Sequence, residues 1–422
     1  MPGPDTDPPE STDIAIVGAG AAGLAAAIFT RRSIPSRSVL LLDGAARPGA
    51  KILVSGGSRC NVTNATVTER DFCGGKSTIV RRVLRGLPVP DTIAWFRELG
   101  VPLHEEAHGK LFPDTNRSRD VLEALLREAN AAGAAIRSAT RVHTVSRTAA
   151  GFSLETSRGP IHARRVVLAT GGQSLPKTGS DGAGLEIARA LGHTIVPTTP
   201  ALVPLTLAPD EVLHAQLPGV AQEVELSVWV NGAIGRRDRG ALLWTHFGVS
   251  GPVVLDVSRH WLRALLEGHQ ARMTISFLPD ERFETLDARW TSIASTRPRT
   301  SVSSALSGLL PVSVARALLD RLRIDGTVSL ADFPRANRRR LTHALVASPL
   351  PITGSRGYSY AEATAGGVRL DEVDPSTMES RRTAGLYLVG EMLDVDGRLG
   401  GFNFQWAWSS AKVAANALAA RS

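Results

Sequence analysis

Hydrophobic positions first gather in Asp13-Ile14-Ala15-Ile16-Val17, break at Gly18-Ala19-Gly20-Ala21-Ala22-Gly23, and resume as an alanine-rich stretch from Leu24 to Arg32. A short continuous apolar run bounded by glycine predicts a buried strand, and the stretch after it a helix. Val39-Leu40-Leu41-Leu42-Asp43 repeats the strand pattern and completes a β-α-β unit of about 30 residues. Arg165 to Ala169, leading into Thr170-Gly171-Gly172, and Gly385 to Val389 predict two more buried strands, and Ala407 to Ala420 a closing helix.

Between these anchors the pattern changes. From Pro200 to Asp256 polar and apolar residues alternate, as in Glu223 to Val230 before Asn231-Gly232, which predicts antiparallel strands and a hairpin. Ser250-Gly251-Pro252 reads as a helix start with serine as N-cap. From Arg282 to Ala347 the period is helical, with Arg338-Arg339-Arg340 off the apolar face. The whole reads as an α/β chain in which a β-plus-helical region interrupts a split dinucleotide-binding domain.

Composition narrows the class. A chain of 422 residues implies two or three domains, and 43% hydrophobic with 21% charged residues is ordinary for a globular protein. The proline-rich, acidic start lacks the basic and apolar segments of a secretory signal, so residues 1–12 are expected to be a tail. The glycines inside the first apolar run argue against a membrane span, and a cytoplasmic protein is expected. Two cysteines, Cys60 and Cys73, are too few for a disulfide framework. The net charge of +8 is carried by arginine, with only five lysines among 48 basic side chains. It fits either a solvated surface or an anionic partner such as RNA.

Gly18, Gly20 and Gly23 have the GxGxxG spacing: a tight turn, a close backbone approach to a pyrophosphate, and close packing of helix on strand. Asp43, twenty residues on, stands where a carboxylate accepts hydrogen bonds from a ribose. The same glycines in a purely structural turn are the alternative. NAD and FAD share the fingerprint, but FAD must be gripped a second time, far from the first turn. Gly390-Glu391 after the late strand and Gly400-Gly401-Phe402-Asn403-Phe404-Gln405 before the last helix are placed for that, the helix N–H groups facing charge on a reduced flavin ring. No second GxGxxG occurs, so NAD(P)H is expected only as a transient co-substrate.

The segment Gly49-Ala50-Lys51-Ile52-Leu53-Val54-Ser55-Gly56-Gly57-Ser58-Arg59-Cys60-Asn61-Val62-Thr63-Asn64 resembles a signature of the YhiN/BaiN/RdsA-type family of bacterial FAD-dependent flavoproteins. So do Ala169-Thr170-Gly171-Gly172, Gly192-His193, Thr245 to Pro252, Thr364 to Val368 and Gly390 to Gly397. The resemblance implies a split Rossmann-like FAD-binding domain at residues 13–198 and 356–422, a β-barrel-like insert at 199–280 and 346–355, and a helical insert at 281–345. It implies cofactor contacts from Gly49, Lys51, Gly56, Gly57, Arg59, Asn61, Asn64, Val142, Ala169, Thr170, Gly171, Gly390, Glu391, Gly401, Phe402 and Asn403, beside Gly18, Ala19, Gly20, Ala21, Ala22, Gly23 and Asp43. Ala50, Ser58, Phe402 and Ala411 depart from the family's usual arginine, glycine, tyrosine and glycine.

Candidates for direct chemistry are few. Cys60 follows the Gly-Gly loop, but no second cysteine sits nearby for a dithiol, and packing is its favoured role. His246 stands where an acid could face a substrate, an ordinary hydrogen-bonded histidine being the competing reading, and His193 reads as a cap or packing residue. No His/Cys cluster has metal-ligand spacing. The leading expectation is an NAD(P)H-driven flavin reductase of a conjugated C=C bond, which the resemblance links to steroid-like substrates and an rRNA uridine. A peroxide-producing flavin oxidase of a small amine, and an RNA-binding or assembly factor with structural FAD, are the alternatives.

Overall fold

The computed structural model describes residues 10–420. Most of the expected tail lies outside these, but Glu10 to Thr12 already belong to strand β1 (Glu10–Val17), which pairs from Glu10 onward with Ile161 and its successors. Pairing, not composition, decides those three residues.

β1, α1 (Ala21–Ser33) and β2 (Val39–Leu42) form the β-α-β unit, and all four residues of β2 are buried. Farther along come α2 (Ala50–Val54), α3 (Ser118–Ala131), β3 (Ala135–Arg137), β4 (Val142–Thr148), β5 (Gly151–Thr156), β6 (Gly159–Leu168), α4 (Ala183–Ala190), β7 (Leu386–Leu388) and α5 (Phe402–Ala420). The sheet runs β3-β2-β1-β6-β5-β4. The early stretch of β6 pairs antiparallel with β5, and its last three residues pair parallel with β7. Parallel strands covered on both faces need continuous apolar sequence, which is why β2 and β7 carry no alternation. α1 packs on α5 and is buried from Ala22 to Thr30, so it too lacks a polar face. The α/β Rossmann expectation holds.

The chain divides into two compact units, one made by residues up to Pro200 and from Glu362 onward, the other Ala201–Ala361. In the second, Ala221–Val230 and Ala233–Thr245 form the expected hairpin, with both Asn231 (φ 50°) and Gly232 (φ 86°) left-handed as a tight two-residue turn requires. The edge strands of its seven-stranded sheet, Ser348–Leu350 and Ile352–Ser355, are separated in the chain by Pro351 alone. A sheet whose two edges are joined by one residue must curl round on itself. The expected separate helical insert differs from what is found: Leu286, Trp290, Val314, Leu318 and Leu341 share one core with Val224, Leu242 and Trp244 of the strands. Ser250 is not the helix cap. It pairs with Leu243, and Gly251 (φ 93°) takes the N-cap of Pro252–Leu266.

His193 is structural. Its backbone N–H closes the end of α4 by donating to Ala188 O at 3.1 Å, while the buried ring lies 3.2 Å from Glu372 Oε2 and 2.8 Å from Ser380 Oγ. Burial favours the neutral ring. Burial alone would raise the Glu372 carboxyl, but the Thr194 N–H, Arg382 and the Thr194 hydroxyl outweigh it and hold it at about 2. A depressed carboxylate contributes stability that is present above the unfolded-state value of 4.5 and is lost as pH falls toward 2. The melting temperature should therefore drop more steeply between pH 5 and pH 3 in the wild type than in Glu372→Gln, by roughly several degrees. Parallel acid limbs in thermal scans would remove Glu372 as a cause.

Candidate functional site

The first glycine turn is built from three different constraints. Gly18 (φ 103°) donates its N–H to Leu42 O at 2.7 Å, and a Cβ there would lie 2.5 Å from Ala169 O. A Cβ on Gly23 would lie 1.8 Å from Gly18 O, so α1 can approach β1 only with glycine at that place. Gly20 is unlike both: a Cβ there would meet nothing within 4 Å. The protein's own packing does not ask for glycine at Gly20. Open space lies before the backbone, at the end of α1 whose first N–H groups lack intrahelical partners.

Asp43 and the turn at Ala169 and Thr170 border the glycine turn. Asp43 accepts from the N–H of Ala19 and of Ala45, each at 2.7 Å, and burial raises its carboxyl above the ordinary range despite these donors. Ala19 and Ala22 are buried and Ala21 half-buried along the turn. Val142 is buried at the start of β4, two residues after Thr140, whose N–H donates to Asp43 O at 2.7 Å. Ala169 N–H donates to Val17 O at 2.8 Å, and Gly171 (φ 73°) comes against Ser180.

The Gly49 to Asn64 loop is tied to this turn through its lysine. Gly49 (φ 72°) precedes α2 because any Cβ would strike Leu122 of α3. Lys51 forms an ion pair with Glu391 and a hydrogen bond with Ser174. Glu391 Oε1 accepts from Ser174 Oγ at 2.7 Å and from Thr364 N–H at 3.0 Å. Gly390 (φ 76°) leaves only enough room that a Cβ would be 2.7 Å from Ala22 Cβ. Lys51, Glu391 and the first turn are thereby joined. Gly56, Gly57, Ser58 and Cys60 all have left-handed backbone (φ 54°, 66°, 66° and 63°), which accounts for the family's glycine where Ser58 stands. The space around Gly57 is open. Arg59 is directed to the protein itself, 2.6 Å from Glu106 Oε1 and over the Phe112 ring, and it holds the Glu106 carboxyl below the ordinary range. Asn61 is buried with no partner for Oδ1.

Cys60 is fully buried, and burial pushes its thiol up to about 12 despite a hydrogen bond with Ser55. A thiol held there is not a nucleophile at neutral pH. Cys60→Ala should leave the rate of flavin reduction within about twofold of wild type, as expected of a buried thiol that only packs; a loss of tenfold or more in stopped-flow reduction would restore it as a candidate.

At the far end, Gly400 (φ 130°) and Gly401 (φ 92°) lead into α5, and a Cβ on Gly401 would lie 2.4 Å from Thr63 O. Asn64 Nδ2 donates to Gly400 O at 3.1 Å and to His108 O at 3.0 Å. Asn403 closes the preceding loop on both atoms of the Gly397 backbone, and Phe402 is buried edge-on to Phe72. One turn on, Trp406 Nε1 donates to Gly390 O at 3.0 Å, and Trp408 Nε1 reaches Val62 O at the same distance. α5 thus ties the Gly390 turn and the Gly49 to Asn64 loop to one helix. Gln405 is bolted inside, accepting from Thr63 Oγ1 at 2.6 Å and donating to Leu87 O at 2.7 Å.

Ser174 and Thr364 were not singled out as site residues by sequence reasoning. Each lies in or beside a motif, but nothing in the motif says that it meets Glu391. His246, in the second unit, is exposed in the turn between Ala233–Thr245 and Gly248–Ser250, its ring edge-on to Phe247. Among the described residues no group of three or more His, Cys, Asp or Glu side chains could hold a metal, and no helix is long and apolar enough to cross a membrane. The open space at Gly20 between two crowded glycines, the unpartnered Asn61 Oδ1 and the second grip at α5 fit a long dinucleotide such as FAD.

The family model for the HI0933-like protein Rossmann domain matches residues 12–417. The chain is 33% identical over 408 residues to a 3-dehydro-bile acid delta(4,6)-reductase of Clostridium scindens, covering 97% of this chain and 99% of that protein. It is 34% identical over 415 residues to a ribosomal RNA dihydrouridine synthase of Escherichia coli K12, again 97% and 99%. A solved quinol-fumarate reductase shares the fold, with a TM-score of 0.53 and 16% identity over 98% of this chain and 72% of that one.

Proposed function

Because this chain belongs to the HI0933-like Rossmann-domain family, we propose that it is an FAD-dependent oxidoreductase that takes hydride from NAD(P)H and reduces an electron-poor conjugated C=C bond, with a uridine of ribosomal RNA as the substrate its charge favours. The observation that carries this reading is that two relatives matching 97% of the chain act on different molecules by one chemistry, saturation of a conjugated ring bond. Residues 282–347 hold eleven arginines against five carboxylates, a concentration of positive charge suited to a polyanion.

Bound FAD would supply the ring that accepts and passes on hydride. The turn at Gly18 to Gly23 and the first N–H groups of α1 would hold the pyrophosphate, and Asp43 a ribose. Lys51, fixed by Glu391 and Ser174, would place a positive charge on the path between the two grips. The N–H groups of Phe402, Asn403 and Phe404, which have no intrahelical acceptor, would favour negative charge on the ring.

The test begins with the holoprotein under anaerobic conditions. NADH or NADPH should bleach the flavin band, and rRNA from a strain lacking the gene should then reoxidise it and gain the mass of two hydrogens at one uridine. Bleaching by neither nucleotide rejects NAD(P)H as donor, and reoxidation only by a small enone rejects RNA as substrate.

A further inference from the structure

The Thr245 to Pro252 motif is only half explained by its own fold. Gly248 (φ 150°) and Gly251 (φ 93°) are needed because a Cβ would lie 2.4 Å from Leu205 O and 2.8 Å from Ala241 O, and Pro252 opens a helix. His246 and Phe247 have no such duty: the first is exposed and the second half-buried. A segment about a hundred residues later meets Phe247. The Arg356 guanidinium lies 4.4 Å from the Phe247 ring centre and 3.8 Å from that of Tyr360, and Tyr360 is 53% exposed. The Arg356 N–H donates to Pro204 O at 3.0 Å, which fixes the segment.

Arg236, Arg239, Arg289, Arg321 and Arg338 of the same unit each form an ion pair. The Arg356 guanidinium has two rings and no carboxylate or hydrogen-bond acceptor among the described residues. Stacking uses the faces of a guanidinium, whereas its five N–H donors lie in its plane. The rings therefore immobilise the fork and leave its hydrogen-bonding edge for a ligand. Aromatic surface lies beside it on Tyr360 and Phe247, and the exposed His246 ring is edge-on to Phe247.

We propose that Arg356, Phe247 and Tyr360, with His246 beside Phe247, form a binding site of the second unit for an anionic ligand: a phosphate or carboxylate carried on a flat or rigid ring. The site is argued from the second unit alone and stands independently of the reading of the chain as a reductase. A nucleotide and a carboxylated steroid share that chemistry.

Binding is measured by calorimetry on the FAD-loaded protein with no electron donor present. The probes are uridine 5′-monophosphate against uridine, and cholate against the corresponding side-chain alcohol. At least one charged probe should bind about tenfold or more tighter than its neutral partner, in line with a charge-assisted bidentate contact. Arg356→Gln should erase that difference, Arg356→Lys should restore part of it, and Tyr360→Ala should weaken charged and neutral probes alike. Flavin content and melting temperature establish that each variant is folded. Preference for uridine monophosphate assigns the nucleotide source, and preference for cholate the steroid. Equal binding of charged and neutral probes, or an unchanged preference in folded Arg356→Gln, overturns the proposal. Since no donor is present, failure of NAD(P)H to bleach the flavin would defeat the reductase reading and leave this result standing.

Discussion

Gly20→Leu is expected to strip the protein of flavin while leaving its fold intact. The backbone at Gly20 is extended (φ −82°, ψ −166°), a conformation any residue adopts, and no protein atom lies within 4 Å of the added Cβ. Loss of glycine from the N-cap of α1 should cost the apoprotein no more than about 1 kcal/mol. The branched side chain would instead fill the space in front of the α1 N–H groups, and FAD affinity should fall by about a hundredfold or more, equivalent to ~2.7 kcal/mol. Purified Gly20→Leu should thus lack the flavin spectrum, and its melting temperature should no longer respond to added FAD. A variant that keeps stoichiometric flavin would mean that this turn does not face the cofactor.

Gly23→Ala is expected to fail in the opposite way, in the fold itself. Gly23 is buried inside α1, where alanine is the better helix former by about 1 kcal/mol, so propensity alone predicts stabilisation. The new Cβ would sit 1.8 Å from Gly18 O, a backbone atom held by the β1 turn. Relief requires α1 to move off β1, and overpacking of that kind costs about 3 kcal/mol or more, which decides the sign. Chemical denaturation should show the loss with or without added FAD, and soluble yield should fall. Wild-type stability in Gly23→Ala would show that helix and strand are less tightly joined than these distances state.

These two glycines also mark what could be read from the sequence. GxGxxG, apolar runs without alternation and Asp43 at the next strand end are local features, and local features place the β-α-β unit. The Lys51, Ser174, Thr364 and Glu391 cluster is not local. Its members are brought together by α2, the turn after β6 and the segments before and after β7, and no periodicity within any one of them announces the others. The far grip at Gly400 to Asn403 was legible as a helix start, but its anchors, Asn64 and Thr63, were legible only through resemblance. The Ser250 cap was misread for the reverse reason: Ser-Gly-Pro is a sound local signal, but the sheet claims Ser250 first. Likewise an apolar helical face between Arg282 and Ala347 says that something will cover it, not that the strands will.

The interrupted first sheet also orders events on the ribosome. β7 and α5 follow the whole second unit in the chain, yet β7 completes the sheet beside β6, and α5 covers α1 and ties down Gly390 and Val62. At ordinary elongation rates the 201–361 segment takes on the order of ten to thirty seconds to synthesise. Throughout that interval the nascent Rossmann half lacks its last parallel strand and the helix that shields α1, leaving an apolar sheet margin exposed until the C-terminal segment emerges. The interrupting unit is contiguous and has a core of its own, so it can fold first, and chaperone contact during synthesis should concentrate on the strands that precede it.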